Sequence, residues 1–424
     1  MLKFLRNQKL SLAILSLSII IFFHTYYKSE IIWDGMNFDF YKQYYYLSFI
    51  FFLIGTFTLF ISKALKKIFS IIFLSSIFSL YLFEFYIVFI QDNSKNRYEI
   101  YKKMKKTNQN ITVTVPPKSY MGLDKINFFP LSGLSNMKTI FCNENGYMAS
   151  YESDRHGFNN PDEQWDFDEY EFFVVGDSFG HGACVNRPMD ITSKLRYYSR
   201  SPSINVSFEG NGPLAEYASL REYSKGKKIK NIIWLYYEGN DLINLKKELE
   251  NFILVKYLND SNFTQNLTEL QKKIDKYGKE IIKAEFDYQN KQKKIKIISF
   301  LKLQKLRKAL QYEDIIFYNK AEYPIEFDLI LKKFALSSKK MNSNIFFVYL
   351  PSYASFNDSN YNKFYDKIIS TVENENIQVI DLKKYFINND PYSFFPNRKN
   401  GHYTSEGYDK IAKFIIDSVN KQGN

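Results

Sequence analysis

Three long apolar runs crowd the first 91 residues of this 424-residue chain, and they fix how that part must fold. Leu10 to Tyr27, Tyr44 to Ser62 and Ile68 to Ile90 are each long enough to cross a hydrocarbon layer. Inside such a layer every backbone N–H and C=O needs a partner within its own segment, so each run is expected to be a helix. The first run lacks a small-x-small cleavage site and more apolar helix follows it, which points to an anchor rather than a removed signal peptide. Residues 1–91 therefore read as a membrane anchor of three transmembrane helices, with Lys63, Lys66 and Lys67 in the turn of a tight hairpin. Membrane lipid is the expected partner of this part.

Lys and Arg set the expected orientation. Lys3, Arg6 and Lys9 precede the first run, whereas the loop from Lys28 to Lys42 carries Glu30, Asp34 and Asp39. This favours an N-terminus inside the cell membrane and a large domain on the periplasmic or extracytoplasmic side. Lys95, Arg97, Lys102, Lys103, Lys105 and Lys106 after the third run argue the other way and are outweighed by the first helix and the short turn. Glu84 falls within the third run, near its end, where it can reach the interface or serve a function.

The formal charge is +12, from 57 Lys and Arg against 45 Asp and Glu. No nucleic-acid module is legible and the lysines are dispersed among acids, so no nucleic-acid partner is expected. Anionic lipid or an acidic glycan suits the charge better. The two cysteines, Cys142 and Cys184, form no CxxC or Cys/His cluster, so neither a metal site nor another cofactor is expected. They are either buried thiols or, in an exported domain, a disulfide that would pin the lead-in beside Cys184.

Residues 92–140 are polar, contain Pro116-Pro117, and read as a membrane-proximal linker and lead-in. Beyond them, residues 141–424 alternate short apolar runs with helical patterns. Strands are expected at Glu171–Val175, Ile204–Ser207, Asn231–Tyr237, Asn344–Leu350 and Gln378–Ile380. Continuous apolar runs of this length suit a parallel sheet covered on both faces. Five of them with crossover helices give an α/β fold, a flavodoxin-like three-layer α/β/α domain whose sites form at the C-terminal ends of the strands. A helical insertion at 242–322 contains Phe263, Leu267, Leu270, Ile274, Tyr277, Ile281, Ala284 and Tyr288 at mainly three- and four-residue spacing, a long amphipathic helix. It is either a packing appendage or a lid or partner-binding arm.

Four motifs carry chemistry: Gly176-Asp177-Ser178-Phe179, Asn205-x-Ser207-x-x-Gly210, Glu238-Gly239-Asn240-Asp241 and Gly401-His402-Tyr403. The first three each follow an apolar run, and the fourth opens the last helix. Ser178 at a strand-to-helix turn is either an N-cap or an exposed nucleophile. Of the four histidines, His24 lies in an apolar run, His181 on the same helix as Ser178, and His156 in the lead-in. That leaves His402 as the base. Backbone N–H groups of Ser178 and Gly210 and the Asn240 amide are candidate oxyanion-hole donors. Asp177 and Asp241 are assigned to loop bracing. Gly210 and Asn240 are otherwise plain turn and loop-capping residues.

This ordered set resembles the SGNH (GDSL-type) hydrolase superfamily over roughly residues 140 to 424. Ser178, Gly210, Asn240 and His402 match the family's nucleophile, glycine, asparagine and histidine blocks. The segment Ser153-Asp154-Arg155-His156-Gly157-Phe158-Asn159-Asn160-Pro161 and the run Gly210-Asn211-Gly212-Pro213-Leu214 are similar to membrane-anchored bacterial members that add or remove acyl groups on surface polysaccharides. The resemblance implies an O-acylesterase or O-acyltransferase with a serine nucleophile acting on an acylated carbohydrate or other ester. Two positions depart from it. Glu238 replaces the usual first residue of the third block, and Lys399 stands where an aspartate normally orients the histidine. Either a Ser-His dyad operates, or another group orients His402, and Asp390 on the approaching loop is the candidate acid. A lipase or thioesterase, or a degenerate scaffold subunit of an envelope assembly, are the alternative functions.

Overall fold

The computed structural model describes residues 8–32, 38–91, 97–120, 126–291, 296–309, 323–356 and 363–422. The chain divides into two compact units, one of residues 1–93 and 294–318, the other of residues 94–293 and 319–424.

In the first unit, Lys9–Ile32, Tyr41–Phe60 and Lys63–Val88 are helices long and apolar enough to cross a membrane. The first two are joined by reciprocal hydrogen bonds, Ser18 Oγ to the Ser48 carbonyl at 2.8 Å and Ser48 Oγ to the Ser18 carbonyl at 3.0 Å. Small hydroxyl residues allow such close approach between apolar helices. The short helices Lys296–Leu301 and Gln304–Ala309 belong to this unit, although from sequence they fall in the 242–322 insertion. They are tied to the third apolar helix. Glu84, fully buried, accepts the N–H groups of Lys305 at 3.0 Å and Leu306 at 2.6 Å. Tyr81 donates to the Leu301 carbonyl at 2.8 Å. Glu84 thus satisfies the open N–H groups at the start of a helix.

The second unit holds two sheets. A small one is built from β1 (Ile111–Val113), β2 (Lys138–Ile140) and β3 (Ser150–Glu152), with β1 and β2 parallel and β2 and β3 antiparallel. The main sheet comprises β4 (Glu169–Gly176), β5 (Ser203–Asn205), β6 (Lys228–Tyr237), β7 (Asn344–Leu350) and β8 (Gln378–Asp381). Its order is β5-β4-β6-β7-β8 and every pairing is parallel. This is the expected flavodoxin-like three-layer α/β/α arrangement.

Alternation along the strands divides the core. Phe173, Val175, Ile232, Trp234, Tyr236 and Phe347 face one side, where Pro213–Tyr223 and Glu326–Met341 cover them. Phe172, Val174, Ile233, Leu235, Phe346 and Val348 face the other, under Ile191–Ser199 and Ser405–Gln422. Burial on both faces explains why these strands read as unbroken apolar runs.

The 92–140 stretch is not a linker over its described part. It forms the helix Arg97–Met104 and strands β1 and β2, and Ile111, Val113 and Leu131 are wholly buried in the same core as the main sheet. The long helix Leu267–Lys291 packs on this lead-in. Tyr120 donates to the Ile274 carbonyl at 3.2 Å, and Asp275 accepts from Ser135 through its N–H at 2.9 Å and its hydroxyl at 2.6 Å. Leu267, Ile274 and Ile282 supply the buried seam.

The lead-in motif reaches this core through Phe158, whose ring is buried and lies edge-on to Tyr223 at 4.8 Å and Phe208 at 6.3 Å. Replacing Phe158 by alanine should cost about 3–5 kcal/mol, measured from chemical denaturation midpoints. A cost below about 0.5 kcal/mol, that of a typical surface change, would place the lead-in outside the core.

Candidate active site

The turn after β4 presents Ser178. Asp177 caps the helix that follows by accepting the Phe179 N–H at 2.8 Å. β4 has β5 on one side and β6 on the other, so the turns after these three strands open at one edge of the sheet, with neighbouring strands about 4.8 Å apart. Gly210 lies beyond β5 and Asn240 beyond β6. Gly210 has φ +84°, a conformation that a side chain would strain. A hydrogen bond from the Asn240 amide to Asp177 partly offsets the burial that raises the Asp177 carboxyl above its usual range.

His402 arrives from the C-terminal side. Its Nε2 lies 2.9 Å from Ser178 Oγ, closer than the 3.3 Å from that hydroxyl to Asp177 Oδ2. The adjacent Tyr403, wholly buried, anchors this loop by donating to the Pro351 carbonyl at 2.7 Å. The Phe179 ring packs against the His402 ring with centroids 4.7 Å apart.

The acid that orients His402 is Glu144, which the sequence motifs do not reveal. Both its carboxylate oxygens lie 3.1 Å from His402 Nδ1, and Oε2 also accepts the His402 backbone N–H at 2.6 Å. Nδ1 therefore carries the proton, and the Nε2 lone pair faces Ser178. Gly401 makes room for this contact, since a Cβ there would lie 2.8 Å from Glu144 Oε2. Burial works against charge at both groups. The contact between them prevails, raising the His402 pKa above its ordinary value and lowering that of Glu144.

Glu144 sits in the turn between β2 and β3, closed by the Phe141 N–H to the Ala149 carbonyl at 2.9 Å and the Ala149 N–H to the Cys142 carbonyl at 2.8 Å. The structure joins Cys142 to Cys184 in a disulfide. Asn145 Nδ2 also donates to the Cys184 carbonyl, at 3.0 Å. The turn is thus fastened to the segment just after the Ser178 helix. Glu144, Cys184 and His402 bring ligand-type atoms within 4.8 Å of one another, but the Cys184 sulfur is committed to the disulfide and Glu144 to the imidazole. The acid two positions after Cys142 is the available signal: a bridge that pins the lead-in beside the Ser178 helix also brings Glu144 there.

Asp390 is elsewhere. It forms a two-pronged exposed pair with Arg398, at 2.8 and 3.0 Å, which holds its carboxyl below the usual range. It is not the acid facing His402. Glu238 has a structural task of its own: buried, it accepts the Ser352 N–H at 2.7 Å and the Tyr349 hydroxyl, which fastens the end of β6 to the end of β7. Asp241 likewise accepts the Tyr237 N–H at 2.7 Å.

The remaining histidines outside the apolar helices are structural. His181 is buried, accepts the Glu209 N–H at Nδ1 and lies 2.8 Å from the Tyr151 hydroxyl; burial holds its pKa down at about 3. His156 is packed on Trp165, and burial lowers it to about 4. The lead-in motif braces the site through Asp154. Its carboxylate accepts the N–H groups of His156 and Phe158 and the side chains of Asn160 and Trp165. Asn160 passes this on to the Asn205 carbonyl at 2.8 Å, and Asn205 to the Gly180 carbonyl at 2.8 Å.

No known family profile matches the chain, and no curated protein matches it. Solved structures similar to it include a protein described as lipolytic, of the G-D-S-L family, from Desulfitobacterium hafniense. It shares 12% identity, with a TM-score of 0.32, over 59% of this chain and 98% of that one. Another is the psychrotrophic esterase EstA from Pseudoalteromonas sp., in a structure inhibited by monoethylphosphonate, at 9% identity and a TM-score of 0.31 over 60% and 98%.

An NMR titration of His402 should show its pKa above the ordinary imidazole value, and Glu144→Gln should lower it by about one unit or more as the carboxylate charge is lost. Asp390→Asn should leave it in place. A shift in Asp390→Asn, with none in Glu144→Gln, would contradict the geometry.

Proposed function

We propose that the chain is a membrane-anchored Ser/His/Glu-dependent O-acylesterase or O-acyltransferase acting on esters of surface carbohydrate. The Ser178–His402–Glu144 relay carries this reading. Ser178 Oγ attacks the ester carbonyl as its proton passes to His402 Nε2, and Glu144 stabilises the resulting imidazolium. The Ser178 and Gly210 N–H groups and the Asn240 amide are assigned to the oxyanion. Collapse of the tetrahedral species expels the alcohol, which takes the proton from His402 and leaves Ser178 acylated. Water or a sugar hydroxyl then gives its proton to His402 and attacks the acyl carbon, and as the bond from that carbon to Ser178 Oγ breaks His402 returns the proton to Ser178 and the acyl product leaves.

Lys399 is the ground for the degenerate-scaffold alternative, and Glu144 beside His402 supports the catalytic reading against it. Two observations support anchoring with the catalytic unit outside the cytoplasm. Three helices have membrane-spanning length and apolarity, and the Cys142–Cys184 bridge suits an oxidising compartment.

Ser178→Ala and His402→Ala should each lower turnover of small acetyl esters by about 10³-fold or more, since members of a relay act as a unit. A fluorophosphonate should label Ser178 in the native chain. Glu144→Gln should lose about 10²–10⁴-fold and move the acid limb of the pH–rate profile to lower pH, because His402 must be neutral to accept the proton. Full activity in Ser178→Ala would sink the assignment. So would an acid limb unmoved in Glu144→Gln.

A further inference from the structure

A cleft of about 840 Å³ opens beside the site, within the same unit. That volume lies in the range of about 300–1,000 Å³ usual for small-molecule sites. Its position ties it to the chemistry. Glu209, the residue before Gly210, lines it, and so does Pro116, whose Cβ would stand 3.7 Å from a Cβ at Gly210. The lead-in helix Arg97–Met104 supplies one wall through Arg97 and Tyr98, and the helix Leu267–Lys291 supplies another through Glu280 and Ile281.

The lining decides the occupant. An acyl chain calls for a continuous apolar channel, because burying charged groups against hydrocarbon is costly. This cleft instead alternates charges of both signs with apolar carbon and the Tyr98 ring. Sugars match such a surface: each hydroxyl both donates and accepts, and the C–H face of the ring packs on aliphatic and aromatic carbon. One detail is sharper still. Glu209 Oε2 is shielded from solvent and accepts no hydrogen bond among the described residues. It faces Arg97 Nη1 at 3.6 Å, beyond hydrogen-bond reach, and the same Nη1 is held by Thr114 Oγ1 at 2.7 Å. A small shift of the Arg97 side chain, which is about a quarter exposed, would let a ring hydroxyl donate to Glu209 and accept from Arg97. That hydroxyl would supply the hydrogen bond that Glu209 Oε2 lacks among the described residues and add a charge-assisted one from Arg97.

We infer that this cleft is the subsite for the carbohydrate part of the ester, with Arg97 and Glu209 as the pair that selects a ring hydroxyl next to the acylated position. This rests on the reading of Ser178 as the acyl-transfer nucleophile.

The full-length chain in detergent tests it with Arg97→Leu, which removes the bridging donor, and Ile281→Trp, which fills the cleft from the opposite wall. The substrates are 4-nitrophenyl acetate, 4-nitrophenyl palmitate and O-acetylated xylo-, cello- and chito-tetraose. The ratio of kcat/KM for the best acetylated tetrasaccharide to that for 4-nitrophenyl acetate should fall by about tenfold or more in each variant, mainly through KM. Fluorophosphonate labelling of Ser178 reports that each variant is folded, and either variant alone suffices. A ratio within about twofold of the parent in a labelled variant would overturn the subsite. So would palmitate turnover exceeding that of every tetrasaccharide and falling in the same variants, because the cleft would then hold an acyl chain. A parent that is labelled and cleaves the small ester but no tetrasaccharide also overturns the subsite and leaves the nucleophile standing. Failure of Ser178 to label in the parent overturns both.

Discussion

The contact between Glu144 and His402 organises the second unit. A carboxylate receives both the imidazole Nδ1–H and the backbone N–H of one residue, so it fixes the tautomer, the ring and the loop together. It also joins pieces of chain 258 residues apart. The loop bearing His402 is locked from below by Tyr403, and the turn bearing Glu144 by the disulfide and Asn145. Without those supports two partly exposed side chains, 23% and 34% accessible, would have little to hold them in register. Exposed pairs are worth little unless their geometry is fixed in advance. Here the fold fixes it.

That dependence explains the build of the lead-in. β1–β3 and the Asp154 network form a brace whose product is a turn at the right height above the sheet. Asp154 shows what the brace demands. Burial lifts its carboxyl to about 6 against four hydrogen bonds that pull the other way. Nothing in the proposed chemistry needs Asp154 directly. Its bonds hold Asn160, and through Asn205 the backbone at Gly180, two residues beyond Ser178.

Much of this was legible in the sequence. Phe172-Phe173-Val174-Val175 and the other doubly buried strands read as strands because both faces are covered, and their order followed from crossover connections. Ser178 and His402 were legible because one follows a strand and the other survives elimination. Glu144 was not, because its one local mark, standing two positions after Cys142, has meaning only once the bridge is known. Its position depends on a hairpin of two three-residue strands and on a bridge across 42 residues, both tertiary facts. Asp390 misled for the same reason: nearness in sequence to His402 suggested a partner, and Arg398 took it instead. The polar composition of 92–140 suggested a linker because its buried runs, 111–115 and 128–134, are short and lie between polar, lysine-rich stretches. Likewise only the tertiary fold shows that Glu84 receives N–H groups from residues more than two hundred positions later.

Chain order gives the relay a timing. The three groups emerge from synthesis as acid, then hydroxyl, then imidazole, with 224 residues between the last two. The first two sit on the pinned turn and the strand-end helix. A chain interrupted before residue 402 lacks both the imidazole and the helix Ser405–Gln422 that covers one face of the main sheet. The last stretch of the chain thus completes the arrangement around Ser178 and one face of the core together.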